Sequence, residues 1–527
     1  MKKNYILTSL FAFFALSLQA QNVSEVPKLV VGLTIDQLRS DYLDAFQALY
    51  GSRGFKRLKK EARIYQHVEY DFIGVDQASA VAAIHTGTVP YMNGIVGNMY
   101  MDRNTLRNVD CVDDSHYMGI YSSESTSPIN LKVSNLSDEL MVATQGKSEV
   151  YSIAPTREMA VIAAGHAAKG AFWINDDTGK WSGSTFYGSF PNWVTNINDN
   201  DGLDTRIDNI SWVPSLPVGV YHYLTMEANQ LTFKHNFKDE KVNKYRRFKT
   251  SPMVNDEVNK LVNACLSGAN IGNDEVPDFI SIAYYAGNYN HLPAEDYAME
   301  MQDTYARLDN SLADLLEMLD RRVGLRNILF FITSTGFSDS ESAYPIQYRI
   351  PGGEFHMNRC AALLNMYLVA LHGDGQYVET FTDQEIYLNH KLLEGKNLNL
   401  TAIMNECADF LVQFSGVKEV YTSQRMQLGS WTPDLEKIKN HYNVACSGDI
   451  WVDILPGWVI VNDQTGIKQV VRHAYTSVPL YIVGWDVRPE IIETPIKIGH
   501  IAPTVAQSLR IRAPNASTLS PISNFKK

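Results

Sequence analysis

Residues 74–100, GVDQASAVAAIHTGTVPYMNGIVGNMY, carry hydroxyl and amide side chains in the layout of a hydrolase nucleophile segment. A serine or threonine hydroxyl can attack phosphorus once a base or a metal ion has removed its proton. Gln77, near the start of the segment, carries an amide, which has no acidic proton to lose and cannot attack in this way. If a helix begins here, Ser79 is rotated by about 200° from Gln77 and faces the opposite side. The segment raises the question of whether the chain is an enzyme or keeps only the scaffold of one.

The elements that must hold these side chains are indicated by four short runs of β-branched and other apolar residues, each typical of a buried parallel strand. The runs cover residues 29–35, 278–285, 327–333 and 478–483. Residues 297–322 lie between the second and third runs, and their apolar positions follow the 3.6-residue period of a helix. Strand, helix, strand in this order predicts a right-handed βαβ unit and a mostly parallel sheet. Since ligands bind beyond the carboxyl ends of such strands, Asp36, residues 287–291 and residues 334–339 should share one rim.

Two further regions have a different character. Residues 172–253 are rich in Trp, Tyr, Asn and Asp, and they predict a cap inserted over the sheet rather than an independent domain. A second insert-like region spans about 360–431 and contains two helical stretches. Residues 451–461 predict a hairpin around Pro456 and Gly457. The chain is therefore predicted to have an α/β fold, a three-layer α/β/α sandwich around a mostly parallel sheet, with a cap insertion.

The N-terminus has the three parts of a secretory signal peptide. Lys2 and Lys3 form the basic start, and residues 6–18 form an apolar run that is too short to span a bilayer. Ala20 then supplies a small residue for cleavage. We expect residues 1–20 to be removed and the protein to be exported, to the periplasm or the cell surface. An uncleaved anchor is the alternative, and no later segment is long and apolar enough to cross a membrane.

The net charge and the cysteine spacing argue against a nucleic-acid partner, an anionic membrane and a zinc–cysteine site. The formal net charge is −12, and loss of Lys2 and Lys3 makes it more negative, which disfavours nucleic acids and anionic membranes. The five cysteines are Cys111, Cys265, Cys360, Cys407 and Cys446. Export permits one or two disulfides, with at least one thiol left unpaired, whereas buried small hydrophobes are the alternative. The scatter of the cysteines gives no support to a zinc–cysteine site.

Six strings spread along the chain carry the most specific family signal. They are LTIDQLRSDYL, HTGTVPYMNGIVGN, VPDFISIAYYAGNYNH, QEIYLNHKLL, CSGDIWVDILPGW and HIAPTVAQSLRIRAPNAS. In this order they resemble the alkaline phosphatase superfamily, particularly its secreted, phosphate-irrepressible branch, which is similar to type I phosphodiesterases and nucleotide pyrophosphatases. The resemblance implies one alkaline-phosphatase-like domain over residues 26–515. It also implies two zinc ions about 4 Å apart, a Thr or Ser nucleophile, and an Asn, a Lys and an Arg that bind the phosphoryl oxygens.

The nucleophile half of the implied site departs from the family at several positions. Asp36 matches the first zinc-ligating Asp, although an Asp that caps the next helix is the alternative. Gln77 takes the nucleophile position, ten residues before the Gly of the TG pair. Asn98 matches the phosphate-binding Asn, and an Asn in a glycine-flanked turn is its alternative. Thr156 and Glu158 occupy the positions of the Lys and the Arg, and an acid at Glu158 would repel phosphate.

The remaining implied zinc ligands are also incomplete. In the Asp-x-x-Gly-His cluster the Asp is replaced by Gly287, while His291 is kept. Ser334 and Thr335 stand in place of an Asp-His pair. His473 is the one candidate for the last histidine, at a spacing shorter than that of the family, and a solvent-facing histidine is the alternative.

Asp36, His291 and His473 thus remain as vestigial metal ligands, and the resemblance does not assign them to a single zinc. Because a tight zinc site needs three or four protein ligands, we expect no cofactor. We predict a catalytically inactive pseudophosphatase with a binding or assembly role in the cell envelope, whose partner is an envelope protein or a glycan. One alternative is a divergent zinc-dependent phosphomonoesterase or phosphodiesterase that uses Ser79 or a metal-bound water. Another is a glycan-binding module, since 8 Trp and 28 Tyr could supply an aromatic platform.

Overall fold

The fold is given by a computed structural model. It describes residues 26–224, 232–239, 243–291, 297–337, 352–382, 384–429, 432–461, 463, 468–470 and 477–523, so residues 1–20 and His473 lie outside the described residues. The strands are β1 Leu29–Asp36, β2 Arg63–Glu69, β3 Met99–Asp102, β4 Arg107–Asp110, β5 Gly119–Ile120, β6 Val150–Ala154, β7 Gly170–Ile174, β8 Trp181–Ser184, β9 Ser211–Trp212, β10 His235–Asn236, β11 Asp278–Tyr285, β12 Ile328–Ser334, β13 Glu354–His356, β14 Val378–Thr382, β15 Glu385–Leu388, β16 Val417–Thr422, β17 Ile450–Ile454, β18 Val459–Val461, β19 Lys468–Val470, β20 Ser477–Gly484, β21 Glu490–Ile492 and β22 Ile496–Lys497. The helices are α1 Ser40–Ala45, α2 Phe55–Glu61, α3 Gln77–Thr86, α4 Pro90–Asn93, α5 Leu136–Ala143, α6 Arg157–Ala164, α7 Asn192–Asn200, α8 Leu203–Arg206, α9 Lys244–Lys249, α10 Met253–Gly268, α11 Ala298–Arg322, α12 Met357–His372, α13 His390–Gly395, α14 Leu400–Leu411, α15 Ser423–Leu428, α16 Pro433–His441 and α17 Ile501–Leu509.

A central sheet carries the rim on which the site lies. Its strand order is β21-β2-β20-β12-β1-β11-β6-β7-β8-β5, with β22 beside β2. The five strands from β12 to β7 are parallel, which confirms the predicted mostly parallel sheet. The prediction of a parallel strand at residues 478–483 is wrong in direction, because β20 runs antiparallel to both β12 and β2. An apolar run indicates that a strand is buried, but both directions bury it equally well.

Helices cover both faces of this sheet and complete the predicted three-layer α/β/α sandwich. All eight residues of β1 are buried, because successive side chains enter cores on opposite faces. Leu29, Val31 and Leu33 pack in the core that contains α10 and α11. Val30 packs in the core that contains α3, α6 and α17. The enclosed strand β1 therefore fixes the position of its last residue, Asp36, at the sheet rim.

The segment 172–253 begins inside the central sheet, since it includes the end of β7 and all of β8. The part around β9 is attached to α11 through the buried carboxylate of Asp303. This carboxylate accepts hydrogen bonds from Trp212 Nε1 at 2.6 Å, Tyr221 OH at 2.7 Å and Arg307 Nε at 2.8 Å. These hydrogen bonds hold the part around β9 against α11, while the domain limits remain predictions.

A second sheet, of order β14-β15-β17-β16, has its own hydrophobic core beneath α12 and α14. The predicted hairpin at residues 451–461 is wrong. Strand β17 pairs with β15 and β16, whereas β18 pairs with β13 and β19 in a different sheet. Gly457, with a φ of 84°, turns the chain from one sheet into the other instead of folding it back on itself.

The described residues include all five cysteines, and each is buried with a free thiol. The structure therefore favours buried small hydrophobes over the disulfides that export would permit. Among the helices of the described ranges, none combines the length and the apolar character needed to cross a membrane.

Candidate functional site

A chain of hydrogen bonds joins four of the side chains that the sequence singled out. Asp36, at the end of β1, is only 4% exposed. Its Oδ2 accepts from Gln77 Nε2 at 2.8 Å, and its Oδ1 accepts from Thr335 Oγ1 at 2.6 Å. Thr156 Oγ1 donates to Gln77 Oε1 at 2.6 Å, and the backbone N–H of Gln37 donates to Thr335 Oγ1 at 3.2 Å. The site is therefore closed around a carboxylate by neutral donors.

The electrostatics of Asp36 follow from this arrangement. Burial raises the pKa of the Asp36 carboxyl above its usual value, and the hydrogen bonds from Thr335 and Gln77 oppose that rise. Each oxygen of the ionised carboxylate has one strong neutral donor. The charged form of Asp36 is thus stabilised by the Gln77 amide and the Thr335 hydroxyl. The family resemblance implies a nucleophile at the first of these positions and a metal ligand at the second.

The start of α3 explains why Ser79 does not reach this site. Asp76 caps the helix, and its Oδ1 accepts from Ser79 N at 3.0 Å and from Ser79 Oγ at 2.8 Å. Ser79 is fully buried in this capping box. Asn98 Oδ1 accepts from the N–H of Ala78 at 3.0 Å, so Asn98 is a second cap of the same helix. The structure brings Asn98 to the site and leaves Ser79 behind it.

Glu158 lies in an acidic cluster that is held together by Arg157. The guanidinium contacts Asp113 at 2.9 Å, Asp110 at 3.1 Å and Glu158 at 3.4 Å. Burial, followed by the charge of Glu158, raises the pKa of Asp110 to about 7. Arg157 is therefore paired with these acids, and its charge is compensated within the cluster.

Gly287 and His291 follow β11 at the same rim. A Cβ atom placed on Gly287 would lie 2.6 Å from Gln37 Cβ and 2.6 Å from the hydroxyl oxygen of Tyr285. Tyr285 OH is itself fixed, because it donates to Asn288 O at 2.7 Å. His291 has much of its surface open to the site, and partial desolvation lowers its pKa. The direction that a side chain at position 287 would take is thus occupied by neighbouring atoms.

Ser334, the neighbour of Thr335, has a structural role. Its Oγ donates to Leu38 O at 3.0 Å, and its carbonyl accepts from Tyr70 OH at 2.6 Å. The residue is fully buried beneath the site. Across the described ranges, no group of three or more His, Cys, Asp or Glu side chains is arranged to hold a metal ion.

These residues open into a cavity of about 990 Å³ between the central sheet and the second sheet. One wall is α9, where Arg246 contacts Asp176 at 2.7 Å and Lys249 also pairs with Asp176. Another part of the wall includes Trp451 and His441, whose rings lie 5.6 Å apart. Cavities of about this volume commonly bind small-molecule ligands.

Sequence reasoning missed the wall made by Trp451 and His441. Burial lowers the pKa of His441 to about 4, so its imidazole is neutral at physiological pH. His441 Nδ1 and Trp451 Nε1 are buried atoms without a hydrogen-bond partner within the described ranges. Trp451 lies in the CSGDIWVDILPGW string, but sequence does not reveal that β17 brings it to the same cavity as Gln77.

Known proteins resemble this chain over nearly its whole length. A family model described as type I phosphodiesterase / nucleotide pyrophosphatase matches residues 30–476. The chain is 28% identical over 542 residues to a calcium-transporting ATPase of Myroides odoratus, with 99% of this chain and 98% of the relative covered. It is 28% identical over 539 residues to alkaline phosphatase PafA of Elizabethkingia meningoseptica, at the same coverage of 99% and 98%.

The crystal structure of wild-type PafA matches with a TM-score of 0.85 and 27% identity, covering 95% of this chain and 99% of that one. The central sheet and the helices on both of its faces thus belong to a known fold. The chain is a member of the type I phosphodiesterase/nucleotide pyrophosphatase family, within the alkaline phosphatase superfamily.

Proposed function

We propose that this chain is an exported pseudophosphatase that binds an envelope protein or a glycan and does not hydrolyse phosphate esters. The observation that carries the proposal is the hydrogen-bond chain from Thr156 through Gln77 and Asp36 to Thr335. In this chain of hydrogen bonds, the Gln77 amide stands at the position where the family resemblance implies a metal-activated nucleophile. A glutamine amide can neither attack phosphorus nor be activated to do so by losing a proton.

The residues around Asp36 do not fit a zinc ion. Zinc sites take three or four Asp, His or Cys ligands, and both oxygens of Asp36 are already bonded to neutral donors. A carboxylate cannot project from position 287 without moving Tyr285 or Gln37. This supports a protein that carries no catalytic zinc.

Metal analysis and an activity assay together test the proposal. The mature protein, purified without chelators, is expected to contain no stoichiometric zinc by plasma mass spectrometry and to release no p-nitrophenol from p-nitrophenyl phosphate or bis(p-nitrophenyl) phosphate. PafA, prepared in parallel, serves as the positive control. Two zinc ions per chain together with turnover would overturn the proposal.

The alternative function is a divergent metal-dependent phosphoesterase, and similarity to a relative named alkaline phosphatase is what favours it. If turnover is found, Asp36→Ala and Ser79→Ala distinguish the possible routes. Loss of turnover in Asp36→Ala alone would support a metal-bound water at the rim. Equal activity in both variants and the wild type would assign the turnover to a contaminating enzyme.

The binding role can be tested through the wall of the cavity. Trp451 is buried at the wall, so an occupant changes its surroundings and its fluorescence. We expect titration with envelope glycans, or with envelope extract fractions, to shift the emission of the wild type. The shift should be absent in Trp451→Phe, and it should persist in Trp193→Phe, which alters a tryptophan outside the cavity lining. Signal-peptide cleavage is checked by N-terminal sequencing of the exported protein, which should begin after Ala20.

A further inference from the structure

Helix α12 exposes an apolar face that a monomer would be expected to bury. Asn365 is the one polar residue from Cys360 to Leu371, and it faces inward, where its Oδ1 accepts from Tyr377 N at 2.7 Å. The outer stripe is formed by Leu363, 47% exposed, Met366, 66% exposed, and the exposed Ala370. Helices that are apolar all round are normally enclosed on every side.

The apolar area continues from this stripe onto helix α14. Tyr367 stacks on Phe410 with ring centroids 4.2 Å apart and an interplanar angle of 8°. Phe410 in turn meets Phe414 edge-on at 5.3 Å. A hydrogen bond of 2.6 Å between His372 Nε2 and Glu406 Oε2 fixes the two helices together. The face is therefore a preformed surface built on two packed helices.

The ends of the stripe carry opposite charges. Arg359 is exposed near the start of α12, and Asp374 is exposed just beyond its end. Lys396 Nζ bonds the backbone carbonyl of Asp374, not its carboxylate. No ion pair among the described residues uses either side chain. The stripe thus has a positive end, an apolar middle and a negative end.

When a second copy of α12 runs in the opposite direction, its negative end meets the positive end of the first copy and the two apolar middles meet. We propose that α12 is the contact surface of a twofold symmetric dimer in which it packs antiparallel against the same helix of a second copy. A twofold axis beside Met366 places Arg359 of one copy opposite Asp374 of the other. The same axis places the larger Leu363 opposite the smaller Ala370. An isologous contact of this kind requires such self-complementarity.

The cavity beside Gln77 is lined by residues of other elements, so the dimer does not depend on the function proposed for that site. A contact centred on one helix pair is at the small end of specific interfaces, so we expect dissociation at about micromolar concentrations. The dimer should form with or without a ligand in the cavity.

Light scattering after size exclusion, over a range of protein concentrations, tests the proposal. The wild type is expected to pass from monomer to dimer as its concentration rises. Met366→Glu brings two like charges together at the axis and should weaken the dimer by at least about tenfold. Val142→Glu, at a residue 72% exposed on a different helix, is the matched control and should dimerise like the wild type.

A charge exchange provides a readout that a purely structural effect could not give. Arg359→Asp and Asp374→Arg should each weaken the dimer, because each sets like charges opposite one another. The double variant should restore it. Failure of the double variant to recover, while both single variants stay folded by circular dichroism, would overturn the antiparallel register.

Crosslinking gives an independent check on the axis. With an added oxidant to accept the two electrons, Met366→Cys should form a disulfide with the same residue of the second copy, because the residue lies beside the twofold axis, whereas Val142→Cys should not. The native cysteines are all buried and should not contribute. A wild type that stays monomeric at every concentration would overturn the proposal, and binding of that monomer to lipid vesicles would assign the face to a membrane surface instead.

Discussion

Removal of the Gln77 amide is the most direct perturbation of the closed site. Gln77→Ala deletes Nε2, which donates to Asp36 Oδ2 at 2.8 Å. The acceptor residue, Asp36, is only 4% exposed. A hydrogen bond to a charged group contributes about 1.5–3 kcal/mol, whereas one between neutral groups contributes about 0.5–1.5 kcal/mol. At pH values above the folded pKa of Asp36, where its carboxyl is ionised, the variant should lose about 1.5–3 kcal/mol of unfolding free energy.

The pH dependence of this loss has a definite sign. The folded pKa of Asp36 is raised by burial, so the stability associated with this group is fully present below its unfolded value of about 3.9 and is lost as pH rises through the folded pKa. Gln77 opposes that loss, because its N–H stabilises the ionised form. The difference between wild type and Gln77→Ala should therefore be largest above the folded pKa of Asp36 and should shrink as the pH falls below it.

Urea unfolding followed by circular dichroism at several pH values measures this difference. Gln384→Ala is the matched control, since the Gln384 amide also lines the cavity but donates to a neutral carbonyl, that of Val452, at 2.9 Å. Asp36→Asn should recover most of the loss in the Gln77→Ala background, because the buried charge is gone. Equal, pH-independent effects of Gln77→Ala and Gln384→Ala would refute the reasoning.

Three further predictions concern neighbouring positions. Gly287→Ala should lower the unfolding free energy by about 1–3 kcal/mol, because the added methyl group would collide with Gln37 and Tyr285. Gly219→Ala is the control and should be close to neutral, since its methyl group would meet no atom within 4 Å. Equal thermal midpoints of the two variants would contradict the packing argument. Ser79→Ala should lose about 1 kcal/mol by thermal unfolding, because it removes part of a capping box, and should leave any measured hydrolysis unchanged. A loss of hydrolysis at unchanged stability would instead make Ser79 a reacting group. The pKa of Asp110 is raised to about 7, so the wild type loses stability as pH rises through that value. Asp110→Asn should therefore be the more stable protein above pH 7, by up to a few kcal/mol, since each pKa unit corresponds to about 1.4 kcal/mol. Near pH 4 the two proteins should be similarly stable. A lower urea midpoint for Asp110→Asn at pH 8 would show that its ion pair with Arg157 matters more than its burial.

The central strands could be predicted from sequence because burial on both faces leaves a continuous apolar run. Residues 278–285 coincide with β11, and residues 297–322 differ from α11 by a single residue at its start. The direction of β20 could not be predicted, because it depends on pairing with β2, more than 400 residues earlier in the chain. Apolar patterns report burial, whereas strand direction is set by long-range topology.

The site was predictable only in part, and for a similar reason. The family resemblance placed Asp36, Gln77 and Asn98 in one site, and the structure brings them together. The sequence placed residue 335 at the rim with Asp36, but it could not show that Thr156 and Thr335 complete a hydrogen-bond chain, because that depends on how the side chains are oriented. The wall formed by Trp451 and His441 comes from the second sheet, whose placement against the first depends on tertiary packing.

The close packing around Gly287 has a consequence for attempts to build activity into this scaffold. A carboxylate at position 287 is sterically admissible only after Tyr285 or Gln37 has changed, so the same substitution is harmful in one background and tolerated in another. Such sign epistasis makes libraries of single substitutions uninformative here. A search for hydrolytic variants should randomise positions 37, 77, 285 and 287 together, because the useful combinations are not reached through individually neutral steps.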